Sequence, residues 1–174
     1  GWITLYSGLS SNADVILLPE VPFSFSNVVN HLKDRKARGK EYALVAIAEG
    51  CSPTDYHTVE AKTGTESPQG RLGGIGQSLA KYINDNSDLD ARDLSLSYLQ
   101  RSGIASSYDS FLAMEFGAYG AKLFKDGKFG EMVAMKNNEL SSISIKDAVS
   151  ELKLVDPKSQ IMELAYEDGF YFGE

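Results

Sequence analysis

The sequence predicts an α/β fold with a largely parallel sheet, and three observations carry that expectation. Short β-branched and aliphatic runs alternate along the chain with stretches of helical periodicity. The first two runs, residues 13–18 and 42–48, read as strands buried on both faces rather than one. A helix-length segment separates them, which a parallel connection requires and a hairpin does not.

Each element follows in order. Ile3, Tyr6 and Leu9 fall at helical spacing, so the chain opens within or just before a helix. An opening on Gly1 without an initiator methionine fits either a part of a longer protein or a glycine left after a tag is removed. The first strand, 13–18, stops at Pro19. Ser24 or Ser26 then caps a helix whose apolar stripe is Val28, Val29 and Leu32, whose face 33–36 is solvated, and which ends at Gly39. The second strand closes on Glu49 and Gly50. Residues 51–70 carry turn formers without periodicity and read as a surface loop or short hairpin. Beyond the glycines at 73, 74 and 76, a helix places Ile75, Leu79, Tyr82 and Ile83 on one face.

Residues 90–100 alternate, with Leu94, Leu96 and Tyr98 opposite Asp93, Ser95 and Ser97, and predict a strand with one polar face. The longest helix carries Tyr108, Phe111, Leu112, Phe116, Tyr119, Leu123 and Phe124 and ends near Asp126 and Gly127. Two β runs, 132–136 and 141–145, and short helices over 146–152 and 157–166 follow; the acidic aromatic tail 167–174 is expected to fray.

Composition excludes several classes. At 174 residues with 43% hydrophobic and 24% charged content, the chain has the size of one globular domain and enough apolar surface to fold without disulfide or metal. Cys51 is the single cysteine and, with His31 and His57, supplies at most three ligands, short of a structural zinc set. The balance of 17 basic against 24 acidic residues gives −7, and Arg35, Arg38, Arg71, Arg92 and Arg101 are scattered, which argues against a nucleic-acid partner. No apolar run approaches the ~20 residues of a membrane span, and no leader pattern opens the chain, so a cytoplasmic location is the default expectation.

Open α/β sheets bind ligands at the carboxyl ends of strands. Glu49 closes one such end, and the string Tyr98-Leu99-Gln100-Arg101 closes another. Arg101 stands before a Ser/Gly segment and a helix N-terminus, where it either receives a phosphate or pairs with an acidic residue across the loop. The glycines at 73, 74 and 76 lack the spacing and the Lys-Ser/Thr of a phosphate loop and read as a tight helix entry. Cys51 follows a strand end without a histidine to activate it and reads as a passive thiol, His31 as a surface residue, and Arg38-Gly39-Lys40 as solvated basic residues at a helix C-terminus.

Several strings together resemble the phosphofructokinase family: Gly1-Trp2-Ile3-Thr4-Leu5-Tyr6-Ser7-Gly8-Leu9, Val15-Ile16-Leu17-Leu18-Pro19-Glu20-Val21-Pro22-Phe23, Val45-Ala46-Ile47-Ala48-Glu49-Gly50, Arg71-Leu72-Gly73-Gly74-Ile75-Gly76 and Tyr98-Leu99-Gln100-Arg101-Ser102-Gly103. The likeness persists in Tyr108-Asp109, Gly117-Ala118-Tyr119 and Leu154-Val155-Asp156-Pro157. It implies a three-layer α/β/α arrangement with a Rossmann-like, largely parallel sheet, and an incomplete phosphofructokinase fold that corresponds to the carboxyl-terminal half. Residues 1–100 would belong to the substrate-binding lobe, 101–150 would pack back on the donor-binding lobe, and 151–174 would form a tail.

The implied activity is phosphorylation of fructose 6-phosphate to fructose 1,6-bisphosphate in glycolysis, with Mg²⁺ and either ATP or pyrophosphate. On matching positions, Glu49 resembles the carboxylate that holds a sugar hydroxyl, Arg101 the arginine on the sugar phosphate, Tyr98 its neighbour, and Arg92 the arginine that reaches a neighbouring subunit's site. That last role implies a homo-oligomer, dimer or tetramer. Asp14, Arg38 and Lys40 resemble effector-binding positions. Tyr98 replaces the family's usual histidine and inclines the donor towards pyrophosphate; Ser102-Gly103-Ile104-Ala105 departs from the usual Gly-Gly-Ser/Thr-Pro. The donor cradle, the Mg²⁺ carboxylates and the aspartate base of the family precede the motifs seen here, so the chain is expected to hold no catalytic or metal-binding residue, to be inactive alone and to leave apolar edges exposed. The competing expectation is a non-catalytic module for assembly or sugar-phosphate sensing.

Overall fold

The computed structural model describes residues 1–56 and 74–174, with Arg101 by its backbone alone. Most of the predicted 51–70 loop, and the glycine entry before Gly74, lie outside the described residues. The chain divides into two compact units, Gly1–Ser95 with Leu154–Glu174, and Leu96–Lys153.

The first unit is built on strand β1 (Val15–Leu17), paired in parallel with β2 (Val45–Ile47) in the register Val15–Val45 and Leu17–Ile47. The apolar run of β1 explains its position: Val15, Ile16, Leu17 and Leu18 are all fully buried, and alternate residues face opposite cores. Val15 and Leu17 meet helices α2 (Phe25–Ala37) and α3 (Ile75–Asn86) through Phe25, Val28, Leu32, Ile75, Leu79 and Ile83. Ile16 and Leu18 meet α1 (Trp2–Ser10) and α6 (Gln160–Glu167) through Leu5, Met162 and Ala165, with Phe172 of the tail in the same cluster. The three layers, α/β/α, therefore exist within this unit. Each fully buried Leu, Ile or Phe contributes on the order of 1.5–3 kcal/mol, which makes β1 the axis of the unit's stability.

The helix ends obey local chemistry. Ser24 caps α2, its Oγ accepting from the Asn27 N–H at 3.1 Å. Asp55 adds a second cap from 30 residues away: its carboxylate accepts from Phe25 N at 2.7 Å, from Ser26 N at 2.9 Å and from Ser26 Oγ at 2.7 Å. The hydrogen bonds from Ser26 and Phe25 outweigh desolvation and hold this carboxyl below its ordinary 3.8. Helix α1 closes on Asn12 with φ +53, the left-handed step that follows many helices, while Ala13 N donates back to Gly8 O at 2.8 Å. Asp55→Ala is expected to destabilise the unit by about 1–2 kcal/mol in urea titrations at pH 7. Because the folded-state carboxyl titrates below the unfolded one, this contribution is fully present above pH ~4 and is lost as pH falls through the depressed folded-state value, so the gap between variant and wild type should narrow on acidification below pH ~4.

In the second unit, helix α4 (Ser107–Lys125) packs on an antiparallel hairpin of β3 (Glu131–Lys136) and β4 (Glu139–Ser144), followed by the single turn α5 (Ile145–Ala148). Asn137 and Asn138, both at positive φ, make the two-residue turn. Leu123 is the one buried hydrophobic among this unit's described residues, whereas Tyr108, Phe111 and Met114 on α4 and the cross-strand pair Met132 and Ile143 are exposed. A helix apolar on both sides needs a second partner, and this unit by itself offers none to the outer side.

Several expectations are corrected. The opening helix forms, but Leu5 and Gly8 face the core, while Ile3 and Tyr6 are exposed. The reason is contact: a methyl on Gly8 would lie 2.7 Å from Ile16 Cδ1, so only the glycine side of α1 can approach β1 so closely. The second strand shrinks from 42–48 to Val45–Ile47, with Tyr42 and Leu44 exposed at its outer edge. Residues 90–96 form no strand, because the Asn84 side chain takes both backbone groups of Ala91, donating to its carbonyl at 2.9 Å and accepting from its N–H at 2.7 Å. Ser97, at φ +42, then turns the chain into a 3-10 helix, Ser97–Arg101. Parallel pairing holds in the first unit, while β3 and β4 are antiparallel.

The tail does not fray. Tyr171 forms an isolated parallel bridge with Val15, Ile16 N donates to Tyr171 O at 2.9 Å, and Phe172 is buried, so the tail is pinned beside β1. His31 is half-buried against this segment rather than free at the surface.

Candidate functional site

The carboxyl end of β2 is fixed by two backbone bonds, Ala48 N to Leu17 O at 3.0 Å and Cys51 N to Ala48 O at 3.0 Å, which turn the chain immediately after the strand and leave Glu49 exposed at the tip. The first turn of α3 comes to the same end. A methyl on Gly76 would lie 3.7 Å from Asp93 Cβ and 3.9 Å from Ile47 Cγ2, so the strand end, the helix start and residues 91–93 converge there. Glu49 lies two residues beyond Ile47, and Arg92 precedes Asp93. Arg92 pairs with Asp90 at 3.1 Å, an exposed ion pair that costs little to break, and it lines a groove of about 400 Å³ with Lys81, Asp85 and Asp93.

Tyr98 and Arg101 lie in the second unit, on the 3-10 turn that Leu99 N to Leu96 O, 2.7 Å, and Ser102 N to Leu99 O, 3.2 Å, hold in place. Tyr98 is 83% exposed. The turn leads into α4, whose start is fixed by Ser106: its Oγ accepts from Asp109 N at 3.1 Å and bonds the Asp109 carboxylate at 2.7 Å.

The effector-like positions separate. Asp14 and Lys40 line one cleft of about 480 Å³ with Arg35, Tyr42 and Asn12, whereas Arg38 is the residue that caps the end of α2. The Asp14 carboxylate is committed, one oxygen to the Arg35 guanidinium and the other to Leu44 N at 2.7 Å. It thereby ties β1, α2 and the entry to β2 together. Arg35 escaped the sequence reading because it sits in a run of four charged residues that looks solvated; the signal was its place one turn before Arg38-Gly39-Lys40.

Cys51 is buried, and its thiol donates to Leu17 O at 3.2 Å. Burial pushes it up to about 12, so it is a protonated, unreactive thiol at neutral pH, as expected of a passive cysteine. Among the described residues, no group of three or more His, Cys, Asp or Glu could hold a metal ion. No described helix is long and apolar enough to cross a membrane.

Comparison with known proteins agrees with the motifs. The profile of the Phosphofructokinase family matches residues 1–124. The ATP-dependent 6-phosphofructokinase 2 of Clostridium perfringens is 36% identical over all of this chain and 48% of its own length. The pyrophosphate–fructose 6-phosphate 1-phosphotransferase of Dictyoglomus thermophilum is 38% identical over 90% of this chain and 46% of its own. Among solved structures, the pyrophosphate-dependent phosphofructokinase of Marinobacter aquaeolei superposes over the whole chain and 46% of its own with a TM-score of 0.67 at 18% identity, a likeness of fold. The chain thus spans about half the length of the curated relatives it matches. Motifs, profile and fold converge on one conclusion: the chain belongs to the phosphofructokinase family.

Proposed function

We propose that this chain is the sugar-phosphate-binding portion of a 6-phosphofructokinase, which transfers a phosphoryl group to fructose 6-phosphate. The observation that carries the reading is the similarity to phosphofructokinases over the whole chain, which takes in the Glu49 strand end and the Tyr98–Arg101 turn. Glu49, exposed at the tip of β2, would accept a hydrogen bond from a sugar hydroxyl, and Arg101 would receive the 6-phosphate as a bidentate guanidinium. Tyr98 supplies a neutral hydroxyl beside it. Arg92, held by an exposed ion pair, would reach a neighbouring subunit's substrate in a homo-oligomer. Lys40 and Arg38 remain the cationic groups for an effector, while Asp14, saturated by Arg35 and Leu44, would shape the cleft without touching the ligand.

The donor is proposed to be pyrophosphate on the ground of Tyr98, although relatives named for ATP and for pyrophosphate are about equally similar. The Mg²⁺ and donor groups would come from the part of the family fold that this chain does not match. The same holds for the partner of the outer face of α4: Tyr108, Phe111 and Met114 are proposed to pack on the donor-binding lobe. A cytoplasmic location fits a glycolytic role.

Arg101→Ala should weaken fructose 6-phosphate binding by roughly 10- to 150-fold, the loss of about 1.5–3 kcal/mol for hydrogen bonds to a charged group. Calorimetric titration checks it, and an unchanged affinity would remove Arg101 from the site. In a coupled assay with either donor the chain alone should show no turnover. The second reading, a sensing or assembly module, shares the binding step and differs in that no added portion of the family fold would restore turnover.

A further inference from the structure

Residues 170–174 are held to their unit by backbone and ring contacts. Ile16 N donates to Tyr171 O at 2.9 Å, Ser24 N to Gly173 O at 3.2 Å, and the Tyr171 hydroxyl donates to Glu174 O at 2.7 Å. The ring contact is a face-to-face stack: the His31 imidazole, on α2, lies 4.1 Å from the Tyr171 ring with 8° between the planes. His31 is thus the titratable side chain through which α2 grips a segment that also bridges β1 at Val15.

We propose that His31 is a proton-operated latch, which as neutral imidazole clamps residues 170–174 against α2 and β1 and on protonation loosens that clamp. The groups around the ring set the direction. From its own helix come Arg35, Arg38 and Asp34; from the turn before β1 comes Asp14; from the 170–174 segment comes the Tyr171 phenol. Burial, then Arg35 and Arg38, hold the imidazole below its ordinary 6.5, against the opposing pull of Asp14 and Asp34. Asp14 is already engaged by Arg35, which blunts its help. A half-buried imidazolium beside two guanidinium groups is unfavourable, so the open form takes the proton first. Well above pH 6.5 both forms are neutral and the latch is at full strength. Below it the open form binds more protons, and the grip weakens as pH falls towards the depressed value of the closed form.

The inference is independent of the sugar-phosphate reading and is tested on the intact chain without ligand. The chain has two histidines, so the His31 ring proton can be followed by NMR from pH 8 to 4.5, and hydrogen exchange at the Ile16 amide reports release of Tyr171. The expected result is a His31 midpoint below 6.5 and a loss of Ile16 protection, corrected for intrinsic exchange, between pH 7.5 and 5. His31→Phe keeps an aromatic stack with no proton to gain and should flatten that profile. A His31 midpoint at or above 6.5 overturns the proposal, as does an Ile16 opening constant equal at both pH values or a wild-type pH profile in His31→Phe. If the phenylalanine variant does not fold, the two wild-type measurements decide alone.

Discussion

Phe25→Ala is expected to remove about 3–5 kcal/mol from the stability of the Gly1–Ser95 and Leu154–Glu174 unit, a large fraction of the roughly 5–15 kcal/mol that a domain usually has. Phe25 is fully buried at the first position of α2, with its ring 4.9 Å from Tyr56, 5.4 Å from Tyr82 and 6.2 Å from Phe23. It therefore joins three pieces of chain that no strand pairing connects: α2, α3 and the segment that follows β2. Truncation leaves a cavity among aromatic rings whose backbone is fixed by the Asp55 cap, so collapse cannot fill it. Urea unfolding measures the loss, and Phe25→Leu should recover more than half of it. A loss under 1 kcal/mol for the alanine variant would show that the core can close around the gap.

Gly173→Ala should be almost as damaging, though it adds a single methyl. That methyl would sit 2.7 Å from Phe23 Cβ and 2.8 Å from Leu17 Cδ2, and the backbone there is at φ +89. Strain of about 1–3 kcal/mol adds to overpacking of about 1–3 kcal/mol. The cheapest relief is to detach residues 170–174, so hydrogen exchange at Ser24 and Ile16, whose N–H groups bond to Gly173 O and Tyr171 O, should speed up more than in the rest of the unit. Gly169→Ala separates the two costs, because φ there is +91 and nothing lies within 4 Å. It should lose only the strain, and equal losses at 169 and 173 would refute the role assigned to the contact with Leu17 and Phe23.

The parts of this fold that the sequence announced are those where local pattern and packing agree. The β1 run is buried on both faces because four consecutive apolar residues leave no side for water, and the stripes of α2 and α3 meet it as their spacing predicts. Misreadings arose where a partner outside the local pattern decides. The 90–100 stretch alternates like a strand, yet Asn84 satisfies Ala91 before any strand can. The tail looked acidic and loose, yet Tyr171, Phe172 and Gly173 find β1, His31 and Phe23, all more than 100 residues earlier. Of the candidate site, Glu49 was legible as the last charged group before a turn after a strand. The commitment of Asp14 was not, because its partners Arg35 and Leu44 are 21 and 30 residues away and the pairing exists only once α2 has packed.

The central claim is that this chain carries the sugar-phosphate site of a phosphofructokinase. Its most direct test is titration of the isotopically labelled chain with fructose 6-phosphate, with unphosphorylated fructose as the control. The claim predicts saturable amide shifts at Glu49 and across residues 98–103 with fructose 6-phosphate, and none with fructose. Shifts confined to other residues, or the absence of saturable shifts, would contradict it.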